Sequence, residues 1–177
     1  IFQEPMTALN PVKQIKHQLI ETYKIHYPEM PDKNIYKSVV SCLEEVGISE
    51  PEERLSSYPH ELSGGMKQRI LIAMALSLSP EILICDEPTT ALDVTIQAQI
   101  LHLLKKLQQD FGMGLILITH DMGVVARIAD RVCVMYAGQI VEEGAVKQIF
   151  DNPSHPYTRG LMKCIPVPGK IKRGEPL

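Results

Sequence analysis

Two acids in succession, Asp86 and Glu87, close the apolar run ILIC at 82–85, and Pro88 follows them. A second apolar run, LILIT at 115–119, ends on His120 and Asp121. Upstream of both, Ser63 precedes the pair Gly64-Gly65 and the helix-forming stretch MKQRILIAMALSLS. A carboxylate at a strand exit suits Mg²⁺, which takes oxygen ligands and keeps much of its hydration shell. A neighbouring acid is then placed to polarise a water that attacks a γ-phosphate. A histidine just beyond a parallel strand faces the same edge, where its imidazole donates to a phosphate oxygen. A serine-capped helix start offers free amides and about half a unit of positive charge, a setting that binds phosphate. Taken singly, each of these residues has an ordinary use as a turn, a cap or a core filler. Their common position beyond the ends of apolar strands, where open α/β sheets bind ligands, is what raises the chemical reading.

The elements that must position them follow from periodicity. Residues 11–27 carry Ile15, Leu19 and Tyr23 at fourfold spacing, which predicts an amphipathic helix with Pro11 in its first turn. A second helix is predicted from Asp32 to Val46, with Asp32 as N-cap and Gly47 past its end. SEPE at 49–52 has the form of a capping box, so a short third helix begins there. Everything before residue 80 therefore reads as helical. Beyond Pro80, ILIC (82–85), LILIT (115–119) and VCVMY (132–136) read as short strands buried on both faces of a parallel sheet. A helix from Val94 to Phe111, with Ile96, Ile100, Leu103 and Leu107 on one face, joins the first two, and a short helix at 122–129 joins the next. AGQIVEEG reads as a turn and a last strand, and the proline-punctuated tail holds one helix. Strand and helix alternate as in an α/β domain.

Composition narrows the function classes. With 45% apolar and 22% charged residues the chain is an ordinary globular one, and its formal charge of −3 gives no reason to expect nucleic acid as a partner. Cys42, Cys85, Cys133 and Cys164 show no CxxC spacing, which disfavours a zinc site or a disulfide framework and favours a reducing compartment. Cys85 and Cys133 fall inside predicted buried strands, where a thiol is a small hydrophobe. No apolar run approaches the roughly 20 residues that span a bilayer. The start at IFQEPM and the stop at RGEPL predict that the chain is cut at both ends.

Taken in order, these motifs resemble the nucleotide-binding subunit of ATP-binding-cassette (ABC) transporters over nearly the whole chain. LSGGMKQ is similar to the family signature, with Met66 where many members have glutamine; ILICDE resembles Walker B with the catalytic glutamate, ALD at 91–93 the D-loop, His120 the switch histidine and Gln3 the Q-loop glutamine. QEPMTALNPV, DEPTTALDV and NPSHPYTRGLMKCIP resemble the bacterial branch that imports dipeptides, oligopeptides or nickel. The resemblance implies a partial P-loop NTPase core of α/β class, with a mostly parallel sheet plus an α-helical subdomain. It divides the chain into a Q-loop (1–10), a helical subdomain carrying the signature (11–80), part of the catalytic core (81–144) and a C-terminal extension (145–177).

The resemblance also implies ATP and Mg²⁺ as cofactors. Asp86 and Gln3 serve the metal, and Glu87 and His120 serve catalysis. Gln3, Ser63, Gly64, Gly65, Gln68 and Asp93 complete the nucleotide-binding set, the signature acting in trans and Asp93 meeting the opposite subunit. The implied partners are a second ABC ATPase subunit, transmembrane permease subunits and, indirectly, an extracytoplasmic solute-binding protein. The implied location is the cytoplasmic face of a bacterial membrane. None of the 11 glycines stands in GxxxxGK[ST], and Gly169-Lys170 is followed by Ile171. The phosphate loop is therefore expected upstream of Ile1, and the 177-residue chain alone is expected to be inactive. Two other readings are a soluble ABC ATPase of DNA repair or translation and a catalytically silent interaction domain. The absence of inserted coiled coils or a second cassette counts against the first, and the retention of both Glu87 and His120 against the second.

Overall fold

The computed structural model describes residues 1–2, 8–90 and 92–164. Gln3 lies outside the described residues. Packing divides the chain into two compact units, Ile1–Ile118 and Thr119–Leu177. The expected boundaries at 80 and 144 each fall inside a unit.

The first unit begins with helices. α1 (Ile15–His26) packs on α2 (Asp32–Glu45) and on the short α3 (Pro51–Leu55), and α2 packs on α4 (Gly64–Leu76). The predicted stripe Ile15, Leu19 and Tyr23 is buried, as are Ile35, Val39 and Leu43 of the packed α2 and Leu9, Leu55, Ile70 and Ala73. Each such aliphatic side chain contributes roughly 1.5–3 kcal/mol by leaving water. α4 is buried on several sides, as its apolar middle predicts, with Gly65, Ile70, Ile72, Ala73 and Leu76 all enclosed.

Three helix starts differ from expectation, each for a local reason. α1 begins at Ile15 and not at Pro11, because Asn10 folds the chain into a turn: its side-chain oxygen accepts from the Val12 amide at 3.1 Å. Pro31, not Asp32, is the N-cap of α2, and the Asp32 carboxylate instead pairs with Lys24 at 3.0 Å. The capping box at 49–52 does not form. Glu50 occupies the cap position in the left-handed region (φ 53), and its carboxylate turns to Arg54 at 3.4 Å. Gly47 sits past the end of α2 at φ 75, where any side chain would strain the backbone and press on the Arg69 guanidinium.

β1 (Ile82–Asp86) and β2 (Gly114–Ile118) pair in parallel, joined by α5 (Val94–Phe111) as the crossover helix. Ile1 extends the ladder on the other edge of β1: the Ile1 nitrogen donates to the Ile84 carbonyl and the Asp86 amide donates to the Ile1 carbonyl, a parallel bridge. The expectation of burial on both faces is met on one only. Leu83 and Cys85 are covered, while Ile82, Ile84, Ile116 and Ile118 on the opposite face are 58%, 51%, 49% and 50% exposed, because no described element packs over them.

The second unit runs from α6 (Met122–Ile128) through β3 (Arg131–Tyr136), β4 (Gln139–Ala145), α7 (Val146–Asp151) and α8 (Pro156–Lys163). Here the sequence reading needs correction. VCVMY is a strand, but β3 pairs antiparallel with β4 and not in a parallel sheet, and Cys133 is exposed. The two-residue connection decides this: Ala137 (φ 48) and Gly138 (φ 77) form the left-handed pair of a type I′ hairpin turn. A register shift between Val134 and Met135 bulges β4 at Val141 and turns the next residue, Glu142, toward the tail.

Glu142 fastens α8 to the hairpin. Its two carboxylate oxygens accept from the Ser154 amide at 2.6 Å and the His155 amide at 3.0 Å, and the Tyr157 ring lies 4.5 Å from Tyr136. The Ser154 amide, then the other groups around it, hold the Glu142 carboxyl below its ordinary value of 4.5. A depressed carboxyl stabilises the fold above its ordinary value and loses that contribution as pH falls through the folded value. Glu142→Gln is therefore expected to speed amide hydrogen exchange at Ser154 and His155 at neutral pH, and the wild-type protein to show the same loosening only below pH 4.5.

Candidate functional site

Asp86 is the last residue of β1, and Glu87 is the first residue beyond it. The buried Cys85 before them is an apolar filler, its thiol pushed up to about 11 by burial and thus uncharged. Glu87 continues the ladder by donating its amide to the Ile118 carbonyl at 2.9 Å, yet its φ is 43. A non-glycine residue in this region is uncommon, and such conformations concentrate at functional sites. The chain turns sharply there: the Thr90 amide donates to the Glu87 carbonyl at 3.1 Å and the Thr90 hydroxyl donates to Glu87 Oε2 at 2.8 Å. Both acids are half-buried, so each carboxylate retains a path to solvent.

The turn is tied to α5. Asp93 is the N-cap of that helix, its Oδ1 accepting from the Thr95 and Ile96 amides at 3.0 Å each, and Gln97 donates from its side chain to the Thr89 hydroxyl at 3.2 Å. The same region receives the signature helix. A Cβ built on Gly64 would stand 3.4 Å from Leu92, and one on Gly65 would stand 2.7 Å from Ile96 Cγ2. Gly65 is thus required for close packing of α4 on α5, a use that the expectation of ligand approach did not include. Ser63 is exposed and caps α4, its hydroxyl accepting from the Met66 amide at 3.3 Å.

The Gln68 side chain is 0% exposed, and neither of its amide atoms has a hydrogen-bond partner among the described residues. An orphaned buried amide costs roughly 1–3 kcal/mol. Gln68→Met, similar in shape and free of polar atoms, is expected to raise the chemical denaturation midpoint, and a lowered midpoint would mean that the amide is satisfied in solution.

In the second unit, His120 is exposed and follows Ile118, the residue paired with Asp86 in the β1–β2 ladder, by two positions. The next residue caps α6: Asp121 Oδ1 accepts from the Gly123 amide at 2.8 Å and the Val124 amide at 3.2 Å. Thr90 escaped the sequence reading, and Ile96, read there only as part of the packed face of α5, was not linked to Gly65. The available signal for Thr90 was a hydroxyl three residues after an acid across a proline turn.

Among the described residues no group of three or more His, Cys, Asp or Glu side chains could hold a metal ion. A single carboxylate at a strand exit still fits Mg²⁺, which takes its remaining ligands from water and phosphate.

This chain belongs to the ABC transporter family. The pattern of that family, described as ABC transporter, matches residues 1–90, and that of the oligopeptide/dipeptide transporter C-terminal region matches residues 141–177. Among curated proteins, the glutathione import ATP-binding protein GsiA of Escherichia coli is 56% identical over 172 residues, 97% of this chain and 27% of its own length. A putative peptide import ATP-binding protein of Brucella ovis is 55% identical over 181 residues, covering 100% of this chain and 53% of that protein. The chain thus spans about half or less of these relatives. Among solved structures, the dimeric ATP-binding cassette MJ0796 bound to ADP and Pi superposes with a TM-score of 0.70 at 29% identity, covering 82% of this chain and 61% of that one. The cassette cbiO1 of Clostridium perfringens, part of the transporter complex cbiONQ, gives 0.73 at 31% identity over 86% and 58%. The α/β cassette fold expected from the motifs is the fold these structures share. No helix among the described residues is long and apolar enough to cross a membrane.

Proposed function

We propose that this chain is part of the ATP-hydrolysing subunit of an ABC importer for peptides, at the cytoplasmic face of a bacterial membrane. The observation that carries the reading is the exit of β1, where two half-buried acids stand in succession and the second is held in a left-handed turn beside a serine-capped helix start. Substrate class comes from the relatives, whose names specify import of glutathione and of peptides. The importer-type C-terminal match over 141–177 supports the same branch and disfavours a soluble repair or translation ATPase.

In this reading Asp86, with Gln3, holds Mg²⁺, which when bound neutralises charge on the phosphates. Glu87 orients a water and accepts its proton as the water oxygen bonds to the γ-phosphorus and the bond to the ADP oxygen breaks. His120 donates to the γ-phosphate. Ser63 and the α4 amides serve a nucleotide held by a second cassette, since they supply donors and a helix dipole but neither a lysine nor a metal ligand. Asp93 contacts that second subunit, and the α1–α4 helices pass the closing motion to permease subunits fed by a solute-binding protein. A chain with no GxxxxGK[ST] sequence has no amide cradle of that type, so the 177 residues alone are proposed to bind ATP weakly and to turn over none.

Reconstitution of the intact protein with its permease subunits in liposomes tests the reading. ATP-dependent peptide uptake that Asp86→Asn abolishes is expected, and uptake indifferent to Asp86 would refute it. Rapid, Glu87-dependent hydrolysis by the isolated 177-residue chain would overturn the proposed inactivity.

A further inference from the structure

We propose that Thr90 is a positioning residue for Glu87: its hydroxyl fixes the direction in which the glutamate carboxylate faces at the strand exit. This inference rests on the reading of Glu87 as the residue that orients the attacking water, and it assigns Thr90 a role exerted through that carboxylate. Three hydrogen bonds among those that hold Glu87 run along its length. Its amide donates to the Ile118 carbonyl at 2.9 Å, its carbonyl accepts from the Thr90 amide at 3.1 Å, and Oε2 accepts from the Thr90 hydroxyl at 2.8 Å. The first two set the left-handed backbone (φ 43), and the third is the one among them that restrains the side-chain torsions. A free glutamate side chain is rich in rotamers, and a carboxylate that wanders by an ångström loses much of the benefit of prealignment with its water.

The hydroxyl can be removed without dismantling the turn. The Gln97 side chain holds the Thr89 hydroxyl at 3.2 Å, the Leu92 amide donates to the Thr89 carbonyl at 3.3 Å, and Asp93 caps α5. Thr90 itself is exposed, so an isosteric replacement opens no cavity. Loss of the hydrogen bond therefore acts on the carboxylate while the frame around it stays.

The test is ATP hydrolysis by the intact protein carrying Thr90→Val, Thr90→Ser and Glu87→Gln/Thr90→Val, with Thr90→Ala as a second deletion of the hydroxyl. Thr90→Val is expected to lower kcat roughly 10- to 100-fold, the range that loss of a hydrogen bond to a charged group implies. KM for ATP and the thermal unfolding midpoint should stay at wild-type values. Thr90→Ser keeps the donor and should restore most of the rate, and the double variant should be no slower than Glu87→Gln alone. Wild-type kcat in both Thr90→Val and Thr90→Ala, a Thr90→Ser variant as slow as Thr90→Val, or an additive loss in the double variant would each overturn the proposal. If Glu87→Gln itself hydrolyses ATP normally, the reading of Glu87 falls and takes this inference with it. If Glu87→Gln is inactive while Thr90→Val is fully active, only the positioning role is lost.

Discussion

Glu87→Gln in the intact protein is expected to lower kcat for ATP hydrolysis by roughly 10²- to 10⁴-fold, the span associated with loss of a positioned general base. The replacement keeps size and shape, its amide oxygen can still accept from the Thr90 hydroxyl, and the two backbone bonds that set the left-handed turn at 87 are untouched. On the proposed reading nucleotide binding draws on other groups, so ATP affinity, measured by equilibrium binding at a temperature where wild-type turnover is slow, is expected to stay unchanged. Combined loss of binding and turnover would mean that Glu87 supports the site structurally, and near-normal turnover would remove it from the mechanism.

The largest expected stability effect is at Gly65. A methyl there would stand 2.7 Å from Ile96 Cγ2, a distance at which atoms must move. Ile96 is β-branched, so its χ1 is stiff in a helix and Cγ2 cannot swing aside. Gly65→Ala is thus expected to destabilise by about 1–3 kcal/mol through overpacking of α4 against α5, read as a lower denaturation midpoint. Gly64→Ala is the contrast. Its methyl would stand 3.4 Å from Cδ2 of Leu92, ordinary contact with the end of a flexible side chain, and its midpoint should stay near wild type. Gly65→Ala with Ile96→Ala is expected to recover part of the loss beyond additivity, because the second substitution removes the obstructing methyl. Full additivity would place the strain elsewhere. The signature glycines thus differ in purpose although the sequence presents them as a pair.

Glu142 and Gln68 mark the other two ways in which tertiary contacts change the meaning of a polar residue. One is an unremarkable acid in a strand that becomes the anchor of α8 through two backbone amides. The other is a motif residue that the fold encloses without a hydrogen-bond partner among the described residues.

The sequence by itself determined the order and type of the main elements, the apolar stripe on α1, the span of α5 to the residue, the Ser63 cap and the succession of polar residues at strand ends. These are local properties: a 3.6-residue period, a capping side chain or an apolar run carries its signal within a few neighbours. Tertiary structure alone decided how VCVMY pairs, which face of β1 is covered, why Gly65 has no side chain and which hydroxyl restrains Glu87. Each depends on groups brought together from elsewhere in the chain or on a backbone angle. Ala137 in the left-handed region turns β3 back on β4, and Ile96 reaches Gly65 only once α4 and α5 have packed. Periodicity says that a residue is buried or exposed, but a hydrogen-bond partner or a close approach is set by non-local geometry.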